Sequence, residues 1–521
     1  MMAHLCRRWW VLLPALAMLW SGASPAPAAA APLRNVLLVI ADDVGADGLS
    51  FTATHPAASV PPTPNLAALA ARGVNFRQAY ANPTCSPTRA AILTGRYGFR
   101  TGVTEVLDTM AAQGIYTNEF TLPEALAATH RRASFGKWHL GSGNTGPAVV
   151  GGWPSFSGAL GGALGSASSN YTYWSKVSNG VTRMGYTNYA TTDNVNDALT
   201  WLGQQGTNRW FLWLAFNAGH APFHKPPTNL APAYAGLSGT GLDLQQNPRP
   251  YYEASLQALD RELGRLLAAI DTNQTAIIFL GDNGSPGRVI QPPYVSTRAK
   301  DTLYEGGVRV PLVIAGPDIV NPGRSSDAVV HAVDVHATVL DLAGVGTGGR
   351  PAPWIVDSRS LLPLLLDQPF TPAQAAVLME NSGSAQAGQS GRAARLGQHK
   401  LIRFSTGGEE LYDLAADPLE QTNLLASPMA PAQQAALDHL RQQVDAWSNR
   451  PNIVTQSWSS GLAVETPWFA GGNLSLWRSP GLAPAAWVQV TNALRQDRGA
   501  TLRLTDPAPP AGGAFYRLRM E

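Results

Sequence analysis

The sequence NVLLVIADD at residues 35–43 decides the fold. Apart from Asn35, its first seven residues are apolar and include no proline or glycine, which is typical of a strand buried on both faces of a parallel sheet. Asp42 and Asp43 follow directly. Because ligands of open α/β sheets bind beyond the carboxyl ends of the strands, this stretch predicts a central strand and one edge of a binding site.

Further apolar runs alternate with helical patterns along the first 350 residues. Strands are predicted at 132–135, 210–216, 275–280 and 310–315. Helices are predicted at 63–73, 122–129, 194–202, 252–270 and 331–343. Strands that alternate with helices predict an α/β fold, in which a large domain over residues 32–350 has a mostly parallel central sheet flanked by helices.

The pattern changes after residue 350. Short β-like runs at 399–404 and 410–414, with a helical segment at 431–447, predict a smaller subdomain over residues 351–450. Residues 451–521 contain further short runs broken by glycine and proline, and predict an appended small β domain. Tryptophans stand in this tail at positions 458, 468, 477 and 487. Most tryptophans belong to a core, so carbohydrate binding is the less favoured interpretation of these four.

Residues 141–180 are rich in glycine and serine. This composition predicts a long irregular insertion rather than core elements, and such loops often carry binding residues. We expect the aromatic side chains of the insertion to stack on a sugar or aryl ring of the substrate. These aromatic residues are Trp153, Phe156, Tyr171, Tyr173 and Trp174.

Composition and the N-terminal residues restrict the class of partner. The formal net charge is only +2, so no nucleic acid or acidic membrane partner is expected. Residues 1–31 match an export signal, because Arg7 and Arg8 precede an apolar run at 9–20 and small residues follow it. The run is too short to span a bilayer comfortably, and no later stretch qualifies. We expect an exported protein, periplasmic or extracellular, without a membrane span.

The chain contains two cysteines, Cys6 and Cys85. Cys6 would leave with the signal, so Cys85 would have no disulfide partner in the mature protein. An exposed thiol in an oxidising compartment is prone to oxidation. We therefore expect Cys85 either to be deeply buried or to be converted into another group.

Cys85 begins the sequence CSPTR, and LTGR follows at 93–96. Ser86 is a good helix N-cap, the proline after it suits the first helical position, and Gly95 can end the helix. Cys85 would then lie at a helix N-terminus, where free N–H groups favour negative charge. Arg89, about one turn along, can reach the same point. The pattern predicts an anion site that contains a sulfur.

Two polar pairs come directly after predicted strands. Asp42 and Asp43 follow the first strand, and Asp282 and Asn283 follow the run at 275–280 after one glycine. Either pair alone can be a helix cap or an ordinary turn. Converging on one cleft, three carboxylates and an amide oxygen suit a hard cation, Ca²⁺ or Mg²⁺. Without a cation the carboxylates would repel one another, and one would take up a proton.

Together these motifs resemble the type I sulfatases of the alkaline phosphatase superfamily. The resemblance spans roughly residues 34–423 and implies that family's α/β fold, with an antiparallel sheet in the C-terminal subdomain. Residues 141–180 and the tail depart from the family pattern, which leaves the substrate open. The matching motifs are C-x-P-x-R with L-T-G-R, GKWHLG at 136–141, NAGHAPF at 217–223, EGGVRVP at 305–311, LYDL at 411–414 and DPLEQTNL at 417–424.

The resemblance implies a sulfuric ester hydrolase, arylsulfatase-like, that cleaves sulfate monoesters to an alcohol and inorganic sulfate. A formylglycine-generating enzyme would convert Cys85 to Cα-formylglycine, whose hydrated aldehyde is the nucleophile beside Ca²⁺ or Mg²⁺. The implied catalytic residues are Cys85, Arg89, Lys137, His139, His220, Asp282 and Lys300. The implied metal ligands are Asp42, Asp43, Cys85, Asp282 and Asn283. The implied substrate-binding residues are Lys137, His220 and Lys300.

In the implied mechanism Asp282 is the base for the attack on sulfur, and His220 with Lys300 protonates the leaving alcohol. His139 then takes a proton as the aldehyde re-forms and sulfate leaves. Fixed positive groups would stabilise the charge that develops in the transition state. The basic side chains expected to contact the sulfate oxygens are Arg89, Lys137 and Lys300.

Two other functions are compatible with these residues. A phosphonate monoester or phosphodiester hydrolase on the same fold would also use a formylglycine, and parallel assays on aryl sulfate and aryl phosphonate esters would separate the two. A non-catalytic carbohydrate-binding surface protein would use the tryptophan-rich tail. Every catalytic position of the family motifs holds the expected residue type in this sequence, which argues against a non-catalytic binding protein.

Overall fold

The apolar run Asn35–Ala41 forms an inner strand of a ten-stranded sheet. Residues 36–41 are 0 % exposed, and the strand pairs in parallel with Trp210–Ala215 on one side and Thr275–Gly281 on the other. The structure is a computed structural model of the chain. It describes residues 34–52, 60–107, 114–116, 119–143, 146–164, 170–346, 356–370, 376–383, 389–448, 456–458, 461–467, 474–479, 488–497, 501–508 and 515–520.

The large sheet contains the first ten strands. Their order across the sheet is β10-β2-β9-β8-β1-β7-β3-β4-β5-β6. In chain order they are β1 (Asn35–Ala41), β2 (Gly73–Tyr80), β3 (Arg131–Lys137), β4 (Phe156–Ala159), β5 (Trp174–Ser178), β6 (Val181–Tyr186), β7 (Trp210–Ala215), β8 (Thr275–Gly281), β9 (Leu312–Ala315) and β10 (Arg324–His331).

The described α-helices are distributed between these strands and the C-terminal part. In chain order they are α1 (Pro64–Ala71), α2 (Cys85–Thr94), α3 (Gly98–Thr101), α4 (Leu122–Ala125), α5 (Ala190–Leu202), α6 (Gly241–Gln246), α7 (Pro248–Leu267), α8 (Glu305–Val308), α9 (Asp334–Leu342), α10 (Leu362–Leu365) and α11 (Pro431–Ser448).

The alternation of side chains along β1 divides the core into two layers. Val36, Leu38 and Ile40 pack on the face covered by α2 and α9. Leu37 and Val39 pack on the opposite face, with α1, α5 and α7. Because both faces carry helices, strands β1, β7 and β8 consist almost entirely of apolar residues, as the sequence predicts.

Strand direction places the functional residues at one edge. Strands β3, β7, β1 and β8 run parallel to one another, and β4 extends this parallel part beyond β3. Strand β9 is antiparallel to β8 and β2. The predicted mostly parallel α/β sheet is confirmed, and the carboxyl ends of β1, β3, β7 and β8 lie at one edge.

The smaller sheet contains β11 (Val377–Asn381), β12 (Gly391–Leu396), β13 (His399–Phe404) and β14 (Glu409–Asp413), all antiparallel. One face packs on α11. The other meets Tyr80 and Leu303 of the large domain. The antiparallel sheet with one long helix, implied by the resemblance, is therefore present.

The tail forms two further antiparallel sheets. Its strands are β15 (Gln456–Trp458), β16 (Gly461–Pro467), β17 (Leu474–Ser479), β18 (Val488–Gln489), β19 (Leu494–Asp497), β20 (Thr501–Asp506) and β21 (Phe515–Met520). The side chains of the four tail tryptophans lie outside the described residues, as does the predicted export signal at 1–31. Among the described helices, none has the length and apolar character needed to cross a bilayer.

The prediction that residues 141–180 form an irregular insertion is wrong in part. Strands β4 and β5 of this segment join the large sheet. Gly158 serves close strand packing, because a Cβ there would lie 1.9 Å from the carbonyl oxygen of Gly136. Four of the five aromatic side chains are buried and unavailable for stacking on a substrate, whereas Tyr173 is 51 % exposed. The buried ones are Trp153, Phe156, Tyr171 and Trp174.

Candidate active site

The ends of β1 and β8 bring the two polar pairs together. Ala41 is in register with Gly281, so the residues that follow are neighbours. The backbone N–H of Asp43 donates to Asp282 Oδ1 at 3.0 Å, and Asn283 Nδ2 donates to Asp43 Oδ1 at 2.8 Å. The predicted convergence of both pairs on one site is observed.

Cys85 is the first residue of α2 and is only 1 % exposed. The extended residue before the helix is Thr84, with φ −140° and ψ 159°. The prediction of Ser86 as N-cap is therefore wrong by two residues, and its hydroxyl instead accepts from the N–H of Leu107 at 3.2 Å. Gly95 ends the helix in the left-handed conformation with φ 71°, as predicted.

Two side chains, one from the last residue of β3 and one from just beyond it, contact the sulfur of Cys85. Lys137 Nζ lies 3.5 Å from Cys85 Sγ and 2.6 Å from Asp42 Oδ2. His139 Nδ1 lies 3.1 Å from the sulfur. The other ring nitrogen, Nε2, donates to the carbonyl of Leu107 at 3.2 Å. Because Nε2 carries the proton, the lone pair of Nδ1 faces position 85 and can accept a proton from it.

Arg89 does not point into the cavity. Its guanidinium is completely buried and donates from Nε and Nη2 to Asp282 Oδ2 at 3.0 and 2.7 Å. Nη1 donates to the carbonyl of Lys137 at 3.0 Å. The expected contact of Arg89 with sulfate oxygens is replaced by a positioning role, because this side chain links β8 to the end of β3.

His220 and Lys300 lie on the open side of Asp43. Lys300 Nζ forms an ion pair with Asp43 Oδ1 at 2.6 Å, and His220 Nε2 lies 3.8 Å from Asp43 Oδ2. His220 Nδ1 donates to the carbonyl of Ala221 at 2.7 Å. The proton is thus held on Nδ1, and Nε2 is presented toward the site as an acceptor.

Burial and neighbouring charges shift the pKa values of Asp42 and Asp43 in opposite directions. Burial, together with the nearby Asp282 and Asp43, raises the pKa of Asp42 to about 8, and the positive charges of Lys137 and Arg89 offset this only in part. Burial also acts to raise the pKa of Asp43, but Lys300 and His220 outweigh it and lower that pKa. In the absence of a cation, Asp42 is therefore the carboxyl group that holds a proton near neutral pH.

Burial keeps the two histidines and the thiol of the site uncharged near neutral pH. Burial lowers the pKa of His220 to about 4 and lowers the pKa of His139 well below its ordinary value. Burial also raises the pKa of the Cys85 thiol, although Lys137 and Lys300 act in the opposite direction. A buried thiol in this state is a weak nucleophile.

The donor set fits a hard divalent cation. One carboxylate oxygen each of Asp42 and Asp282 and the sulfur of Cys85 all lie within 4.8 Å of one another, and so do atoms of Asp42, Asp43 and His220. Asp42 Oδ1 and Asn283 Oδ1 are buried oxygens without a hydrogen-bond partner among the described residues. Buried oxygens of this kind cost free energy unless they are satisfied, and a cation between them would satisfy both.

One side of this site opens on a cavity of about 770 Å³, which is within the usual range for a ligand site. Cys85 and His139 lie on its wall together with His220 and Lys300. The remaining lining residues are Asp43, Glu105, Val106, Leu107, Gly162, Ala163, Ala221, Phe223, Pro286, Arg288, Asp301 and Gly383.

Comparison with known proteins agrees with this geometry. A family model described as Sulfatase matches residues 34–345, which is more than half of the chain. The chain belongs to the sulfatase family. A second model, described as N-sulphoglucosamine sulphohydrolase, C-terminal, matches residues 298–449 of this sulfatase.

Curated relatives support the same assignment. The sulfatase is 28% identical over 390 residues to mouse N-acetylgalactosamine-6-sulfatase, covering 68% of this chain and 69% of the relative. It is 29% identical over 498 residues to bovine arylsulfatase A, covering 84% and 92%. The chain is accordingly a sulfuric ester hydrolase, and the bond it cleaves is that of a sulfate ester.

Solved structures share the fold. The crystal structure of Ps i-CgsB in complex with k-i-k-neocarrahexaose has a TM-score of 0.68 at 23% identity and covers 80% of this sulfatase and 93% of that chain. A phosphonate monoester hydrolase from Silicibacter pomeroyi has a TM-score of 0.57 at 20% identity, covering 79% and 94%. At these identities the likeness concerns the fold alone.

Sequence analysis missed the support behind His220. The hydroxyl of Tyr171 donates to the carbonyl oxygen of His220 at 2.8 Å and also to that of Asn217. His224 stacks on the Tyr171 ring with centroids 4.0 Å apart. In the sequence, Tyr171 stands out only as an aromatic residue. That residue type suggested stacking on a substrate ring, not support of His220. In this sulfatase Tyr171 holds the backbone of His220.

Replacing Tyr171 by phenylalanine is expected to lower kcat/KM about 5- to 10-fold, because one hydrogen bond contributes about 1 kcal/mol to the position of His220. The variant Tyr189→Phe is the matched control, because the Tyr189 hydroxyl bonds to the ring of His224, at 3.0 Å, whereas that of Tyr171 bonds to the backbone of His220. Steady-state assays on an aryl sulfate compare the two. Equal losses for both variants would contradict the positioning role.

Proposed function

We propose that this sulfatase is an exported enzyme that hydrolyses sulfate monoesters, using a formylglycine at position 85 and one divalent cation, Ca²⁺ or Mg²⁺. The substrate is a sulfated glycan or a small sulfate ester, and water converts it to an alcohol and inorganic sulfate. The observation that carries the proposal is the position of Cys85, which lies on the cavity wall and within 3.1 Å of a proton-accepting His139 nitrogen.

Conversion of Cys85 is supported by the chemistry around it. Burial raises the pKa of the thiol, so the unmodified side chain is poorly suited to attack sulfur. It is also the only cysteine among the described residues. Formylglycine, when present, supplies a hydrated aldehyde with two oxygens, one to attack sulfur and one to release sulfate. The modification would require a formylglycine-generating enzyme as a partner during maturation.

The ligands proposed for the cation are Asp42, Asp43, Asp282 and Asn283, with the group at position 85. When bound, the cation supplies positive charge that polarises oxygen atoms and neutralises the carboxylates. Arg89 and Lys137 already hold Asp282 and Asp42 by direct hydrogen bonds. Their role is to fix the ligand oxygens before the cation and substrate arrive.

The remaining residues move protons. Asp282 lies within 4.8 Å of the sulfur of Cys85 and is the proposed base for the attack. Lys300 and His220 face the cavity and are proposed to bind the sulfate and protonate the leaving alcohol. His220 is neutral in the free protein, and a bound anion beside it would raise its pKa toward the value that an acid needs. His139 is proposed to accept the proton when sulfate is released.

Export and domain organisation belong to the same proposal. Residues 1–31 would be removed as the signal, residues 32–350 would form the catalytic domain and residues 351–450 its C-terminal subdomain. Residues 451–521 would be an appended β domain. The two antiparallel sheets of the tail support the last assignment. No nucleic acid or membrane-spanning segment is expected.

Parallel assays on an aryl sulfate and the matching aryl phosphonate monoester test the function. We expect kcat/KM to be higher for the sulfate ester. The phosphonate monoester hydrolase on the same fold makes this comparison necessary. A higher kcat/KM for the phosphonate ester would reverse the assignment of the preferred substrate.

Removal of divalent cations is expected to abolish activity, and added Ca²⁺ or Mg²⁺ should restore it. The cation should also raise the thermal unfolding midpoint, since a ligand at about 100 times its Kd stabilises the native state by about 2.7 kcal/mol. The variant Asn283→Ala should reduce this shift. Asn75→Ala is the control, because Asn75 also has a buried oxygen that finds no hydrogen-bond partner in the described part of the chain. An unfolding midpoint that does not change when the cation is added would contradict the proposed cation site.

A further inference from the structure

The cavity wall carries more charged groups than sulfate hydrolysis needs. Three of its lining residues, Glu105, Arg288 and Asp301, have no role in the reaction proposed above. Two are acidic and one is basic. Arg288 is exposed and is the one among them that can attract an anion.

Most donors of Arg288 remain available to a ligand. Its Nη2 donates to the carbonyl of Gln245 at 3.0 Å, and a guanidinium has five N–H groups. In the parts of the chain that the structure describes, no carboxylate forms an ion pair with it. The other basic group on the cavity wall, Lys300, is by contrast paired with Asp43 at 2.6 Å.

The loop that carries Arg288 is fixed to the catalytic centre. It begins directly after Asn283. The carbonyl of Ser285 accepts from the N–H of Lys300 at 3.0 Å. The carbonyl of Val289 accepts from Arg249 at 2.7 Å. These two anchors fix the backbone on either side of Arg288 relative to the catalytic centre, which is what a specificity contact requires.

The two acidic residues, Asp301 and Glu105, lie next to residues 381–383. The carbonyl of Asp301 accepts from Asn381 Nδ2 at 2.9 Å. A Cβ added at Gly383 would lie 1.6 Å from Glu105 Oε2, so this carboxylate is next to residues 381–383. An anionic substituent on the substrate would be attracted to Arg288, which has no carboxylate partner among the described residues.

We propose that Arg288 binds a second anionic group of the substrate, so that this sulfatase prefers sulfate esters with a further carboxylate or sulfate. The inference rests on the proposed function and adds a substrate class to it. Because the second anion does not take part in bond cleavage, Arg288 is a specificity residue and acts mainly on KM. Guanidinium and carboxylate or sulfate groups pair through two parallel hydrogen bonds, which lysine reproduces only in part.

The test compares substrates that differ by one charge. One pair is a neutral aryl sulfate and its carboxylate-bearing analogue, and the other is a monosulfated and a disulfated monosaccharide. We expect wild-type kcat/KM to favour the doubly charged member of at least one pair. Arg288→Gln should lower kcat/KM for that member about 10- to 100-fold, mainly through KM, with a smaller loss for the singly charged one. Arg288→Lys should recover part of the preference.

Arg261→Gln is the matched control, because Arg261 is also exposed and donates to a single carbonyl, that of Asn229 at 3.1 Å. It should leave both substrate preferences unchanged. Equal losses for the singly and doubly charged substrates in Arg288→Gln would overturn the proposal, as would a wild-type enzyme without any preference. The pair that responds shows whether the second anion is a carboxylate or a sulfate.

A binding measurement separates this inference from the proposed function. Benzenesulfonate and benzene-1,3-disulfonate are not hydrolysed, and calorimetry can measure their Kd for the wild-type protein and for Arg288→Gln. We expect the disulfonate to bind more tightly to the wild type and to lose most of that advantage in the variant. If no sulfate ester is cleaved while this pattern holds, the proposed function fails and the anion site stands. Equal Kd values for the two probes would overturn the anion site, whatever the turnover.

Discussion

Replacing Cys85 by serine is expected to lower turnover by a factor on the order of 10⁴ or more, as for other enzymes that lose their nucleophile. The serine hydroxyl can attack sulfur and expel the alcohol, but it has no second oxygen to release the sulfate. The variant should therefore retain one sulfate covalently after incubation with substrate. Intact-protein mass measurement and a multiple-turnover assay would show both effects.

Cys85→Ala is the control for this experiment, because it has no group that can attack. It should be equally slow but gain no mass from the substrate. A serine variant that turns over at the wild-type rate would contradict the need for two oxygens at position 85. A mass gain in the alanine variant would place the acceptor elsewhere.

Replacing Arg89 by methionine is expected to destabilise the protein by about 3–5 kcal/mol, the usual cost of leaving a buried charge without its partner. Arg89 and Asp282 are both 0 % exposed, and Asp42 lies close to the same guanidinium. The loss of the positive charge leaves the buried Asp282 without its partner and close to Asp42. Thermal unfolding in a chelator should show the full effect, and added Ca²⁺ should reduce it, because a cation replaces the missing charge.

The exposed pair of Arg77 and Asp327 provides the comparison. Their side chains are 51% and 63% exposed, and exposed ion pairs contribute about 1 kcal/mol or less. Arg77→Met should therefore change the unfolding midpoint little, with or without Ca²⁺. Similar losses for Arg77→Met and Arg89→Met would show that the buried pair has no special role.

Sequence patterns identify the central strands because these strands are buried on both faces. Strands β1, β7 and β8 are unbroken apolar runs and were predicted close to their observed positions. Strands β2 and β10 were missed, since they form a pair toward the edge of the sheet and mix buried with exposed polar residues. An edge strand of this kind has no apolar run to mark it.

The candidate site, like the set of strands, could be predicted from the sequence only in part. The polar pairs after β1 and β8 were identified because strand ends in a parallel sheet converge. The sequence could not show that Arg89 is buried behind Asp282 or that Tyr171 supports His220. Both contacts join residues far apart in the chain. Nor could it distinguish the glycines of the 141–180 segment that allow strand packing, such as Gly158, from those of a loop.

The mass of the peptide that contains residue 85, taken from protein produced with its maturation machinery, tests the central proposal most directly. We predict a peptide in which one sulfur and two hydrogens have been lost and one oxygen gained, in protein that hydrolyses an aryl sulfate. Fully active protein whose peptide retains the sulfur of Cys85 as a free thiol would contradict the account.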